Sequence, residues 1–395
     1  MPALSSRRAA GRFLAALAVV GAATAAVHGA AVADNFHRHH WEDRRFIRHT
    51  HAHVHGVVDC FTHAGVWPGL YRPLTTNCYY LAGSVGWRDR VEVYHLVNLA
   101  VYLAIGLLVF SVVRRVVNET LALFAAALWA SRLAQWQTLL YTSEFQGLFA
   151  MLLSLVALDR ALAARLSAPG QGSSGWRTEG LGLAAFALAL LSKESAVALP
   201  AIVSAATWLY APRAWRRDLL WWGTAAAWAL LFAVALRGLS GTADTGYVYD
   251  VSPAIVRRYV GYLLMFPNGA VDPSDVWGVP RTLPELAALP AVMAPAVAAA
   301  VALLLLLALA SRLPEGGAGR GTRAMALGGV WFLAGNAPFV VLSDRLFLRY
   351  SLFGNAGLAL TLAALPAVLL DFRTFRDAAA ARPAGAGPTP APAPP

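Results

Sequence analysis

The residues best equipped for chemistry gather between Asp34 and Glu92, an interval that holds both cysteines, eight of the ten histidines, the pair Glu42-Asp43 and the tetrad Tyr71-Arg72-Pro73-Leu74. A carboxylate such as Asp43 or Glu42 can act as a general base, taking the proton of an attacking hydroxyl while a phosphate leaves. The same pair could equally be a solvated acidic spot neutralised by Arg44, Arg45 and Arg48. Arg72, stiffened by the following proline, suits a forked grip on phosphate or carboxylate; alternatively Pro73 opens a helix and the arginine sits among headgroups. His49, His51, His53 and His55 alternate, so an extended strand would turn all four to one side as a zinc or copper site, a divalent metal being the one cofactor suggested. A solvated histidine-rich loop is the plainer alternative. Cys60 and Cys78 could close a disulfide in an oxidising compartment.

Outside this interval three more places carry charge in apolar text. Lys193, the only lysine in the chain, adjoins Glu194 in Leu191-Ser192-Lys193-Glu194-Ser195. This pair could bind a phosphate and orient its partner, or form a structural ion pair. Arg345 and Arg349 precede the last apolar run and could meet an anionic headgroup or merely snorkel.

The elements that must position these groups are written for lipid. Of 395 residues, 58% are hydrophobic and only 13% charged, a balance outside the range of ordinary soluble domains. The formal charge of +11 is spread between apolar runs rather than collected on one basic face, which argues against nucleic acid and for loops facing anionic lipid. The expected fold is an all-α polytopic membrane protein of about ten transmembrane helices. Its spans are placed at 13–33, 93–113, 121–141, 145–162, two short helices within 180–210 meeting at Lys193-Glu194, 221–236, 290–310, 324–342 and 351–370. A large first extracytoplasmic loop covers 34–92 and a second covers 237–289. The membrane domain is taken as 1–375, with a Pro/Ala-rich disordered cytoplasmic tail at 376–395. Basic residues outside the long first loop favour both termini in the cytoplasm and the plasma (inner) membrane as the location. The basic start and the small residues Ala31-Val32-Ala33 also fit a cleavable signal, but the run is long for one and a retained first helix is expected.

Several motifs fall in a familiar order. Trp41-Glu42-Asp43 follows the first span, then come Tyr71-Arg72-Pro73-Leu74, Tyr94-His95-Leu96-Val97-Asn98-Leu99, the Lys193-Glu194 motif and the Asp344-Arg345 to Tyr350 segment. This set resembles the membrane part of GT-C glycosyltransferases, particularly the transmembrane and tetratricopeptide-repeat-containing protein O-mannosyltransferases and their bacterial relatives. The resemblance implies transfer of a sugar from a polyprenyl-phosphate donor to a protein, lipid or polysaccharide acceptor on the outer face. It implies Asp43 or Glu42 as base, Arg72 and Lys193 as phosphate contacts, Arg345 or Arg349 as a further donor contact, and Tyr71, His95 and Glu194 in support. The chain departs from the pattern in lacking tetratricopeptide repeats, in its histidine cluster, and in reading Glu-Asp where two aspartates are common.

The rival reading is a non-enzymatic envelope-assembly, transport or metal-binding membrane protein built on the histidines. The two differ in what is indispensable: Asp43 and Arg72 for the enzyme, the alternating histidines for the metal module.

Overall fold

In the computed structural model of the protein, the described residues are 2–37, 41–63, 70–87, 90–132, 135–166, 172–239, 254–265, 319–342 and 348–380. They form helices and short connecting turns. The helices are α1 (Pro2–Asn35), α2 (Trp41–His53), α3 (Val57–Thr62), α4 (Tyr79–Gly86), α5 (Val91–Val116), α6 (Glu119–Ala130), α7 (Trp136–Leu140) and α8 (Phe145–Leu166). There follow α9 (Gly172–Ser192), α10 (Leu199–Tyr210), α11 (Trp215–Leu239), α12 (Ala254–Met265), α13 (Arg320–Val340) and α14 (Leu352–Ala380). Four stretches are long and apolar enough to cross a bilayer: Ala10–Asn35, Val91–Val116, Thr142–Leu166 and Leu352–Leu369. Large apolar side chains such as Leu14, Leu181, Leu219, Leu230 and Val234 point outward, as they do where the solvent is lipid.

The bundle is organised around α5 and α8, which pack on each other; α1 and α6 lie against α5, and α9 runs beside α8. Tyr102, Ile105, Val109, Val112 and Val113 of α5 share one core with Leu148, Met151, Leu155 and Leu158 of α8. Among the described helices α13 and α14 pack most extensively on each other. A Cβ at Gly328 would stand 2.6 Å from the Gly357 carbonyl oxygen, and one at Gly335 would stand 2.9 Å from the Gly354 Cα. Only glycine lets two backbones approach so nearly, the device that replaces hydrophobic attraction between helices in lipid.

Two expectations change. The run 121–141 is not one span: α6 has 12 residues, which rise about 18 Å and fall short of the hydrocarbon thickness. It stops at Ser131, where Arg132 Nε donates to the Leu128 carbonyl at 2.8 Å and Tyr102 donates its hydroxyl to the Ala130 carbonyl at 3.0 Å. The interval after the first span, expected as the first outside loop, folds as α2, α3, a π-helical turn (Pro73–Cys78) and α4. Within it His49, His51 and His53 are helical, not extended, because Phe46, Ile47, Thr50 and Val54 recur at helical spacing and are buried. The strand that would have aligned all four histidines does not form. By contrast the break at Lys193-Glu194 is present: α9 ends at Ser192, a 3-10 turn covers Glu194–Ala198, and α10 resumes. Span 290–310, residues 240–253 and 266–289 of the second loop and the tail from 381 lie outside the described residues, while α12 forms where the sequence predicts a helix around Arg257 to Phe266.

Candidate functional site

Asp43 sits one turn into α2 and is fully buried. Its Oδ1 accepts the Ser143 backbone N–H at 2.7 Å, so the carboxylate is held at the turn that leads into α8. The next residue, Glu144, is buried too, and its Oε2 lies 3.8 Å from Lys193 Nζ. Lys193 is also buried, with its ammonium 5.3 Å from the centre of the Tyr350 ring, a cation–π approach. Glu194 turns the other way and receives both Nε of Arg72, at 2.7 Å, and a terminal nitrogen of the same guanidinium. The remaining arm of Arg72 donates to Gln146 Oε1. A continuous network therefore joins α2, the turn before α8, the break between α9 and α10, and the π-helical turn.

The local sequence explains this assembly. Pro73 starts the turn that Arg72 precedes, and Thr76 Oγ1 donates to the Arg72 carbonyl at 2.7 Å. Thr75 Oγ1 donates to the Ser192 carbonyl at 2.6 Å, tying the turn to the last residue of α9. Burial pushes the Glu194 carboxyl up, but the Arg72 guanidinium and the Lys193 ammonium outweigh it and hold the group below its ordinary value. The direct ion-pair contacts are crosswise: Lys193 lies against Glu144 and Glu194 against Arg72, each a residue distant in sequence.

Beside Asp43 lies an aromatic cluster of Phe46, Tyr79, Tyr80, Tyr94 and Phe145. Tyr79 stacks on Phe145 with ring centres 3.7 Å apart, and Tyr80 on Phe46 at 5.5 Å. The hydroxyls of Tyr79 and Ser143 and the indole N–H of Trp87 are buried without a hydrogen bond in the protein. Burial, then the neighbouring Tyr94 and Asp43, raises the Tyr79 hydroxyl well above its ordinary pKa; burial and Asp43 do the same to Tyr80. Both hydroxyls therefore stay protonated as donors. On the other side, Gly147, Lys193, Phe339, Tyr350, Leu352 and Phe353 line a small, partly open and mostly apolar pocket of about 20 Å³.

Of the residues expected from sequence, Asp43, Arg72, Lys193 and Glu194 converge. Tyr71 donates its hydroxyl to the Phe61 carbonyl at 3.1 Å, bracing α3 against the segment that carries Arg72, and burial raises its pKa. His95 is buried with Nδ1 3.3 Å from the Leu139 carbonyl, a bond it makes as the Nδ1–H tautomer, so it positions α7. Arg345 and the side chains of Glu42 and Arg349 lie outside the described residues. Cys60 and Cys78 are unbonded thiols; burial, with the Cys60 thiol beside it, pushes Cys78 up to about 12. Among the described residues no three of His, Cys, Asp and Glu gather as a metal set.

Sequence reasoning missed Glu144, Gln146 and the tyrosine cluster. Thr142-Ser143-Glu144 reads as a mere tight turn; a carboxylate between two apolar runs was the signal available. No family model, curated protein or solved structure matches the chain.

Proposed function

We propose that the chain is a polytopic membrane glycosyltransferase that moves a sugar from a polyprenyl-phosphate donor to a hydroxyl acceptor outside the cytoplasm. In this reading the chain crosses the plasma membrane about ten times, both termini face the cytoplasm, and the Asp43 network lies at the outer face.

One observation carries the reading: a buried carboxylate, two further carboxylates and two cations from four separate segments meet at the same end of the bundle. Asp43 takes the proton of the acceptor hydroxyl. The freed oxygen attacks the anomeric carbon, the bond from that carbon to the phosphate oxygen breaks, and the polyprenyl phosphate leaves with its negative charge. Lys193, which borders the apolar pocket, meets that phosphate. Arg72 is a positioning residue, since its guanidinium is spent on Glu194 and Gln146. The unsatisfied hydroxyls beside Asp43 supply donors for a hydroxyl-rich ligand, which explains why so many polar atoms are buried there without partners.

The test is transfer of radiolabelled sugar from a panel of polyprenyl-phosphate donors to envelope acceptors, in membranes carrying wild type, Asp43→Asn or Glu42→Gln at equal abundance. Loss of transfer in Asp43→Asn alone supports Asp43 as base. Unaltered transfer in that variant rejects the assignment.

A further inference from the structure

The helix that holds Asp43 also carries a histidine stripe for which the transfer reaction has no use. His49 and His53 are one turn apart near the C-terminal end of α2, and their rings lie face to face with centres 4.7 Å apart and planes 18° from parallel. His53 is exposed and His49 half-buried, so both can be reached by an ion from solvent. Two histidines at this spacing on one helix face form a natural metal-chelating pair, because consecutive turns carry both imidazoles on the same side, and each stacked ring need only turn about its χ2 to aim an in-plane nitrogen at a shared ion. His51, two residues from either, is displaced by about 200° around the helix and cannot join them. The helix end adds to the attraction, since a cation there meets the negative end of the backbone dipole.

We propose that His49 and His53 form a two-imidazole site for a borderline transition-metal ion of the zinc or copper class, with solvent completing its coordination. The site has a consequence for the network beneath it. The inner face of α2 is fixed by Asp43 on Ser143, by Phe46 on Tyr80 and by Thr50 Oγ1 donating to the Thr76 carbonyl at 3.3 Å. A metal joining successive turns stiffens the last half of this short helix and so favours the placement of Asp43. Arg45 and Arg48, on the same helix, oppose the ion and limit its affinity.

The experiment is calorimetric titration of the untagged full chain in lipid nanodiscs with zinc chloride, and separately with copper chloride, at neutral pH. One saturable site is expected for at least one ion. His49→Ala and His53→Ala should each weaken it at least about tenfold, a loss already typical for removing an outer-shell partner. His51→Ala should stay within about twofold of wild type, as surface substitutions do. The bound ion should raise the melting temperature of wild type and not of His53→Ala. No saturable uptake by wild type overturns the proposal. Equal loss in His51→Ala, or undiminished binding in both His49→Ala and His53→Ala, overturns the pair as ligands.

Discussion

The two ends of α8 carry buried charge in contrasting ways. At its C-terminal end Arg165 donates to both Glu179 oxygens at 3.0 and 3.1 Å, to Asp218 at 2.9 Å and to Thr207 at 2.7 Å. Trp221 also donates to Glu179, and none of these five side chains leaves a buried polar atom without a partner. At the N-terminal end, about 30 Å away along the helix, Lys193 and Glu144 stand 3.8 Å apart, and the hydroxyls of Tyr79 and Ser143 and the Trp87 indole N–H near Asp43 go unsatisfied. A closed network clamps α8, α9, α10 and α11; a network with spare donors is one that a ligand can complete. Burial of charge alone does not separate the two. The distinction lies in whether the polar valences are already used.

The comparison breaks most sharply at Asp43. Asp43→Asn keeps an oxygen for the Ser143 amide, so it should leave thermal stability nearly unchanged while sugar transfer falls by about 10²–10⁴-fold, the span of general-base catalysis. The reverse is expected for Arg165→Met. It strands Glu179 and Asp218 without their cation, costs about 3–5 kcal/mol and shows as a large drop in melting temperature. If Arg165→Met melted like wild type, the clamp would not exist.

Two smaller effects sharpen the picture. Tyr79→Phe removes a hydroxyl that has no partner, so stability should hold or rise by up to about 1 kcal/mol, while transfer declines. A fall in stability would mean that the hydroxyl is satisfied within the protein. Finally, with its pKa pushed up to about 12, the Cys78 thiol is almost entirely protonated at neutral pH. After full reduction its maleimide labelling should be slow at pH 7 and accelerate about tenfold per pH unit as the thiolate forms. Labelling at the rate of a small-molecule thiol would show that the site is open to water.

Much of this was legible in the linear chain. The apolar runs announced helices for lipid, and the charged pair inside 180–210 announced a break, because two charges in hydrocarbon cost more than an interrupted helix. Asp43, Arg72 and Lys193 stood out because each is a charge beside apolar or aromatic residues. The histidines misled: alternation suggests a strand, but Phe46, Ile47, Thr50 and Val54 had the stronger claim at helical period and took the backbone with them. Glu144 and Tyr80 were illegible since their meaning comes from neighbours far along the chain.

By itself the sequence determined the helical class, the break at Lys193 and the chemical types able to act, since apolar runs, proline and charge impose their preferences locally. Only the tertiary structure decided that Lys193 faces Glu144 while Glu194 faces Arg72. Partners separated by 49 and 122 residues are chosen by the packing of whole helices, a global property that no local preference encodes.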